Sequence, residues 1–218
     1  MAFWRKKPFD RIEALTAADR ARSRGQHRKA IKGYRKILAV DPSDPVVHGK
    51  LAPLLARKRG QRREALASFQ RAAEGHFKAG FFDRAIAVYV QAAGFFPEEV
   101  TLWQDIARME SIQGRRADAV NALVTGSGHL GRRAALRPQA IELLESALQI
   151  APWHPDATLA MARLLVKRGD RPAGVALLED LAARSRGRVL TRVRWAIVRL
   201  APSPANAWRW LRALFGAR

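Results

Sequence analysis

The chain has 218 residues, no cysteine, and 40 Lys and Arg against 19 Asp and Glu, which gives a formal net charge of +21 at pH 7. The lack of cysteine excludes disulfides, thiolate metal sites and thiol catalysis. The positive charge predicts an anionic partner, which could be an acidic protein, a nucleic acid or an anionic lipid surface, and composition does not rank the three.

The first ten residues are basic and aromatic, with Phe3, Trp4 and Phe9 next to several cations. They lack the apolar core and cleavage site of a secretory signal, and no later apolar run approaches the ~20 residues of a membrane-spanning helix. We therefore expect a cytoplasmic protein, with peripheral attachment to the inner membrane surface as an alternative. The segment 1–10 is predicted either to pack on the first helical hairpin or to contact anionic lipid.

From residue 11 to residue 187, a spacing pattern recurs in which a glycine is followed by a small residue, an aromatic or large apolar residue, and a proline. Glycine allows the positive φ that ends a helix, the small residue allows two helices to approach, and proline stops the second helix. The pattern predicts antiparallel helical hairpins without strands. Its copies are Gly25/Ala30/Tyr34/Pro42, Gly80/Ala85/Tyr89/Pro97 and Ala135/Ala140/Leu144/Pro152, with weaker ones at Gly60/Ala65/Phe69, Gly114/Ala119/Leu123 and Gly169/Gly174/Leu178.

The predicted turns are unevenly spaced, with intervals of 35, 20, 34, 21 and 34 residues from Gly25 to Gly169. An interval near 20 has room for one helix where an interval near 34 holds two. We therefore predict single helices at 61–79, 115–130 and 171–184, the first two of which are shared between neighbouring hairpins. The result is a repeat of three helices every 55 residues.

The signature resembles the tetratricopeptide repeat family in its bacterial form, a 34-residue helix–turn–helix unit. The resemblance covers residues 11–188. It implies an all-α, right-handed solenoid of helical hairpins that binds proteins and is not an enzyme. The residues that carry it are Trp103, Ile106, Ala107, Gly114, Ala119 and Leu123 in 100–133, and Ala18, Gly25, Ala30, Tyr34 and Pro42 in 11–44.

The resemblance also implies a concave groove that is lined by the first helix of each hairpin. Because the groove positions are mostly basic, we expect an acidic peptide or protein partner. The family's clamp for chaperone carboxyl termini is not matched, since Leu15 and Asp19 occupy its places. The groove residues carried over by register are Arg22, Arg57, Lys78, Gln104, Arg108, Arg163 and Lys167.

Residues 188–218 predict two amphipathic helices separated by Ala201-Pro202. We expect them to cap the open end of the repeat array. The alternative is a contact with nucleic acid or anionic lipid, because the chain has no acidic residue after Asp180 and carries tryptophans there. The residues of that alternative surface are Arg192, Arg194, Arg199, Trp208, Arg209, Trp210 and Arg212.

The sequence predicts no catalytic residue, metal site, cofactor or small-molecule substrate. Its five histidines are scattered, and His48, which occupies a place where the repeat has tryptophan, is predicted to be a packing residue. The run from Gly126 to Gly131 matches G-x-G-x-x-G, but it follows a predicted repeat helix rather than the strand that a dinucleotide site requires.

Overall fold

A computed structural model describes residues 9–216 of the chain. This range contains twelve α-helices, one 3-10 helix and no strand, which confirms the predicted all-α helical repeat. Phe3 and Trp4 of the predicted N-terminal contact lie outside the described residues. The chain divides into two compact units between Phe96 and Pro97, and the domain boundaries expected after residues 10 and 187 stay predictions.

The first unit is built from five helices, each packed on the next along the chain. Its core holds Tyr34, Leu51, Phe69 and Tyr89, all nearly inaccessible to solvent. The helices are α1 (Arg11–Ser23), α2 (His27–Leu38), α3 (Pro45–Ala56), α4 (Arg62–Lys78) and α5 (Phe82–Phe95).

The second unit contains seven α-helices and the 3-10 turn Ala134–Leu136. Neighbouring helices pack on each other, and α11 also contacts α9. The helices are α6 (Val100–Ile112), α7 (Arg116–Leu130), α8 (Arg137–Ile150), α9 (Pro155–Arg168), α10 (Arg171–Arg184), α11 (Gly187–Leu200) and α12 (Pro204–Phe215).

Glycine ends the helices where the spacing pattern predicts a turn. Gly25, Gly60, Gly80, Gly114 and Gly169 all have positive φ, between 71° and 103°. A side chain at these positions would strain the backbone, so the glycines are required by the turn geometry. These predicted turns are confirmed.

The two short intervals and the range 171–184 each hold one helix. Helices α4, α7 and α10 fill the ranges predicted for single helices, and α4 packs on both α3 and α5 while α7 packs on both α6 and α8. Helices α3, α6 and α9 begin at Pro45, Val100 and Pro155, at equal intervals along the chain.

Asp19 connects α1 to α2 and α3 in the first unit. The Tyr34 hydroxyl donates a hydrogen bond to Asp19 Oδ1 over 2.6 Å, and Lys50 binds Oδ2 of the same carboxylate. Burial opposes ionisation of Asp19, but the hydrogen bonds from Lys50 and Tyr34, with the charges of Lys50 and Arg22, hold its pKa below the usual value. Burial and the hydrogen bond to Asp19 raise the pKa of Tyr34.

Candidate binding cleft

The second unit contains a cleft formed by α9, α10 and α11. Helix α11 is held there by Val193, Ala196 and Ile197, which are buried in one apolar cluster with Leu159 and Leu178 of the two preceding helices. The cleft above this cluster has a volume of about 460 Å³. A cavity of this size is within the range of natural small-ligand pockets.

Cations from two helices surround the cleft. Arg163 and Lys167 lie four residues apart on α9 and therefore share one helix face, while Arg192 and Arg199 come from α11. Arg192 forms an ion pair with Asp156. Within the described part of the chain, Arg163, Lys167 and Arg199 have no acidic partner.

The base of the cleft is apolar. Leu159, Val166, Leu178 and Leu200 line it, and only Leu159 and Leu178 are fully buried. Trp195 lines one side with 46% of its surface exposed. The cleft therefore combines an apolar base, an aromatic wall and three cations that are free to bind an anion.

The structure brings together two of the seven residues that the sequence predicts for a groove. Arg163 and Lys167 line the cleft, whereas Gln104 and Arg108 lie one turn apart on α6, where Arg108 binds Asp105 at 3.0 Å. The three predicted residues of the first unit are exposed at helix ends and line no described cavity: Arg22 at the end of α1, Arg57 just after α3, and Lys78 at the end of α4. Their role in binding stays a prediction.

The predicted anionic-surface residues of the C-terminus are partly neutralised inside the unit. Glu179 accepts hydrogen bonds from Arg194 and Arg209, the second over 3.5 Å. Arg199 and Arg212 have no such partner in the described range, and Trp208 is exposed. The remaining tryptophan, Trp210, packs on Trp195 with ring centroids 4.9 Å apart.

A second basic surface, on α2, was missed at the level of sequence. Arg28, Lys32 and Lys36 are spaced by one helix turn along α2 and line a shallow cavity with Lys58 from the residues after α3. The four-residue spacing of these three cations in the sequence indicates that they share one face of a helix. The groove prediction did not include them, because it takes residues only from the first helix of each hairpin, and α2 is a second helix. Arg35 on the same helix is neutralised by Glu64 at 2.8 Å.

The glycine-rich motif has a packing role. Gly126 and Gly128 lie inside α7, and a Cβ atom added at Gly126 would be 2.4 Å from Cγ of Trp103. His129 stacks on the same indole with ring centroids 5.6 Å apart. The motif is therefore helical, without the strand and loop of a phosphate-binding site.

Residues 9–216 hold neither a metal cluster nor a membrane span. In that range, no three His, Cys, Asp or Glu side chains lie close enough together to hold a metal ion. Among the helices described above, none is both long and apolar enough to cross a bilayer.

Comparison with known proteins identifies a repeat family. A family model described as tetratricopeptide repeat matches residues 138–190, a range that includes Arg163 and Lys167. No curated protein matches the chain. Residues 138–190 are therefore similar to the tetratricopeptide repeat.

Several solved structures are similar to this chain at low sequence identity. A thermophilic tetratricopeptide repeat protein of Thermus thermophilus is 16% identical over 94% of this chain and 89% of its own, with a TM-score of 0.33. PilW, a type IV pilus biogenesis factor, is 14% identical over 96% of both chains with a TM-score of 0.36. MamA is 16% identical over 79% of this chain and 90% of its own, with a TM-score of 0.35.

Proposed function

We propose that this protein is a non-enzymatic scaffold that binds an acidic, partly apolar peptide segment of a partner protein in the cleft between α9 and α11. The observation that carries the proposal is the set of three cations without acidic partners in the described range, Arg163, Lys167 and Arg199, around an apolar base. A carboxylate placed among them would gain ionic hydrogen bonds that the protein itself does not supply.

Size and polarity both favour a short peptide segment. A cleft of about 460 Å³ accommodates a few side chains rather than a folded domain. Its leucine-lined base favours an aliphatic or aromatic side chain, and the cations favour carboxylates beside it. A segment that alternates acidic and apolar residues satisfies both requirements.

The charges also suggest how the two proteins would meet. Because Arg163, Lys167 and Arg199 are exposed, their attraction for an acidic segment acts at long range and is screened by salt. Electrostatic complementarity of this kind mainly increases the association rate, whereas apolar contacts with the base decide which acidic segments stay bound.

The test uses the full chain and four fluorescein-labelled octapeptides: alternating Asp and Leu, octaglutamate, alternating Ser and Leu, and alternating Lys and Leu. Fluorescence anisotropy should show the tightest binding for the Asp/Leu peptide and weaker binding for octaglutamate. The triple variant Arg163→Glu, Lys167→Glu, Arg199→Glu should weaken Asp/Leu binding by at least about tenfold, equivalent to ~1.4 kcal/mol.

A matched control changes the net charge equally at exposed positions outside the cleft, with Arg24→Glu, Arg59→Glu and Arg63→Glu. This variant should bind the Asp/Leu peptide within about threefold of the unchanged protein, because none of the three residues lines the cleft. Equal losses in both triple variants would show that total charge, not the cleft, binds the peptide. Circular dichroism establishes that each variant remains helical.

A further inference from the structure

Helix α12 is joined to the second unit along one face only. Trp210 packs on Trp195, and the Thr191 hydroxyl donates a hydrogen bond to the carbonyl oxygen of Ala213 over 3.1 Å. None of the twelve residues of α12 is buried. Most of this terminal helix is therefore surface.

The opposite face of α12 carries large apolar side chains. Trp208 and Phe215 are 63% and 70% exposed, and the partly buried Leu211 lies between them at helical spacing. Arg209 and Arg212 border this stripe. We name the set Trp208, Leu211, Arg212 and Phe215 the α12 face. Neighbouring exposed apolar residues of this size mark an interaction surface more often than isolated ones do.

We propose that the α12 face docks on an anionic lipid surface, with α12 lying in the plane of the membrane interface. Tryptophan and phenylalanine on one side of a helix bordered by arginines are suited to the boundary between headgroups and acyl chains. Burial of the apolar stripe and attraction to anionic headgroups would add to each other.

The charge distribution favours lipid over a second copy of the chain. The residues after Asp180 include nine arginines and no acid. The acids that face this region, Glu179 and Asp156, are already bound to Arg194, Arg209 and Arg192. Two copies joined through their α12 faces would bring two basic surfaces together, whereas an anionic membrane would neutralise them.

The test is co-sedimentation of the full chain with phosphatidylcholine vesicles, either alone or with about one third phosphatidylserine. The protein should bind the anionic vesicles only. Replacing the apolar residues with Trp208→Ser and Phe215→Ser should weaken that binding by at least about tenfold, whereas raising salt from about 50 to 200 mM should remove only part of it.

The matched control is Val90→Ser with Ile112→Ser, because each of these residues is 53% exposed on another helix. It should bind anionic vesicles like the unchanged protein. Equal losses in the two double variants, or equal binding to neutral vesicles, would overturn the proposal. Unchanged vesicle binding by the Trp208→Ser/Phe215→Ser variant would also overturn it. If that variant instead lost a concentration-dependent dimer in sedimentation velocity, the α12 face would bind a second copy of the chain. If it lost binding to a single-stranded oligonucleotide, the α12 face would bind nucleic acid.

The proposal is independent of peptide binding in the cleft. The Trp208→Ser/Phe215→Ser variant should bind the Asp/Leu octapeptide with unchanged affinity, since neither residue lines the cleft. Peptide binding in the cleft and lipid binding by the α12 face can therefore be tested, and fail, separately.

Discussion

His48 and Trp103 make the same hydrogen bond in α3 and α6. The Nε2 atom of His48 lies 2.9 Å from the carbonyl oxygen of Pro42, and Nε1 of Trp103 donates to the carbonyl oxygen of Pro97 over 3.0 Å. Because a carbonyl oxygen can only accept, Nε2 of His48 carries the proton. Both rings are buried. The predicted packing role of His48 is confirmed, and the two residues are alternative solutions to one position.

The indole at this position requires glycine in the facing helix. We expect Gly126→Ala to destabilise the protein by about 1–3 kcal/mol, because the added Cβ would overlap the Trp103 ring. Combining Gly126→Ala with Trp103→His should cost less than the sum of the two single changes, since the smaller imidazole leaves room for the methyl group. Urea unfolding of the four proteins measures the coupling.

Gly128→Ala is the control for this cycle, because Gly128 lies in the same helix and an added Cβ would have no atom within 4 Å apart from the backbone of its own helix and its chain neighbours. It should be neutral or stabilise by up to ~1 kcal/mol, as alanine is the better helix former. Strict additivity of Gly126→Ala and Trp103→His would show that the methyl group does not meet the indole.

The carboxylate of Asp19 should make stability depend on pH at the acidic end. A group whose pKa is lowered by folding stabilises the native state above its unfolded pKa, and this contribution is lost as pH falls through the folded value. We therefore expect unfolding free energy to fall below about pH 4. Asp19→Asn should lower stability at pH 7 and flatten this decrease, as measured by urea unfolding at several pH values.

Glu145→Gln is the corresponding control, because Glu145 is exposed and has no partner in the described residues. The acid dependence should be the same with or without this change. An Asp19→Asn protein with an unchanged slope would show that other carboxylates dominate the acid response.

The two C-terminal helices should differ in their contribution to stability. Ile197 of α11 is 1% exposed, so Ile197→Ala should cost about 2–5 kcal/mol through lost apolar burial and a cavity. Phe215→Ser on α12 should change stability by no more than about 0.5 kcal/mol.

Deletion of residues 203–218 should likewise leave a folded, soluble protein, as measured by thermal unfolding. Aggregation of that truncated chain would instead show that α12 caps the repeat array.

The extended groove predicted from the sequence can be separated from the cleft. Charge reversal of Arg22, Arg57 and Lys78 removes the predicted contacts of the first unit but leaves the cleft intact. We expect the affinity for the Asp/Leu octapeptide to stay within about threefold, because none of these residues lines the cleft. A loss as large as that of the cleft variant would favour the longer groove.

The sequence could predict the features of the fold that depend on residues close together in the chain, such as the turns between helices. Only glycine readily adopts the positive φ observed at Gly60 or Gly114, so the positions of these glycines in the sequence predict the turns. The pairing of Arg192 with Asp156, 36 residues away, depends on how α11 packs against α9 and has no local signal. The cleft was missed for the same reason, because Arg163 and Arg199 approach one cavity from different helices.

In three salt bridges that hold α11 and α12 to the earlier helices, the acid comes before the arginine in the sequence. Asp156 and Glu179 precede the arginines that they bind, Arg192, Arg194 and Arg209. During synthesis, these carboxylates leave the ribosome before their partners, and domains generally fold from the N-terminal side first. Each of these three arginines would then emerge beside an acid that is already in place. A peptide restricted to residues 187–218 has no carboxylate side chain to accept those contacts and would be a polycation that repels itself.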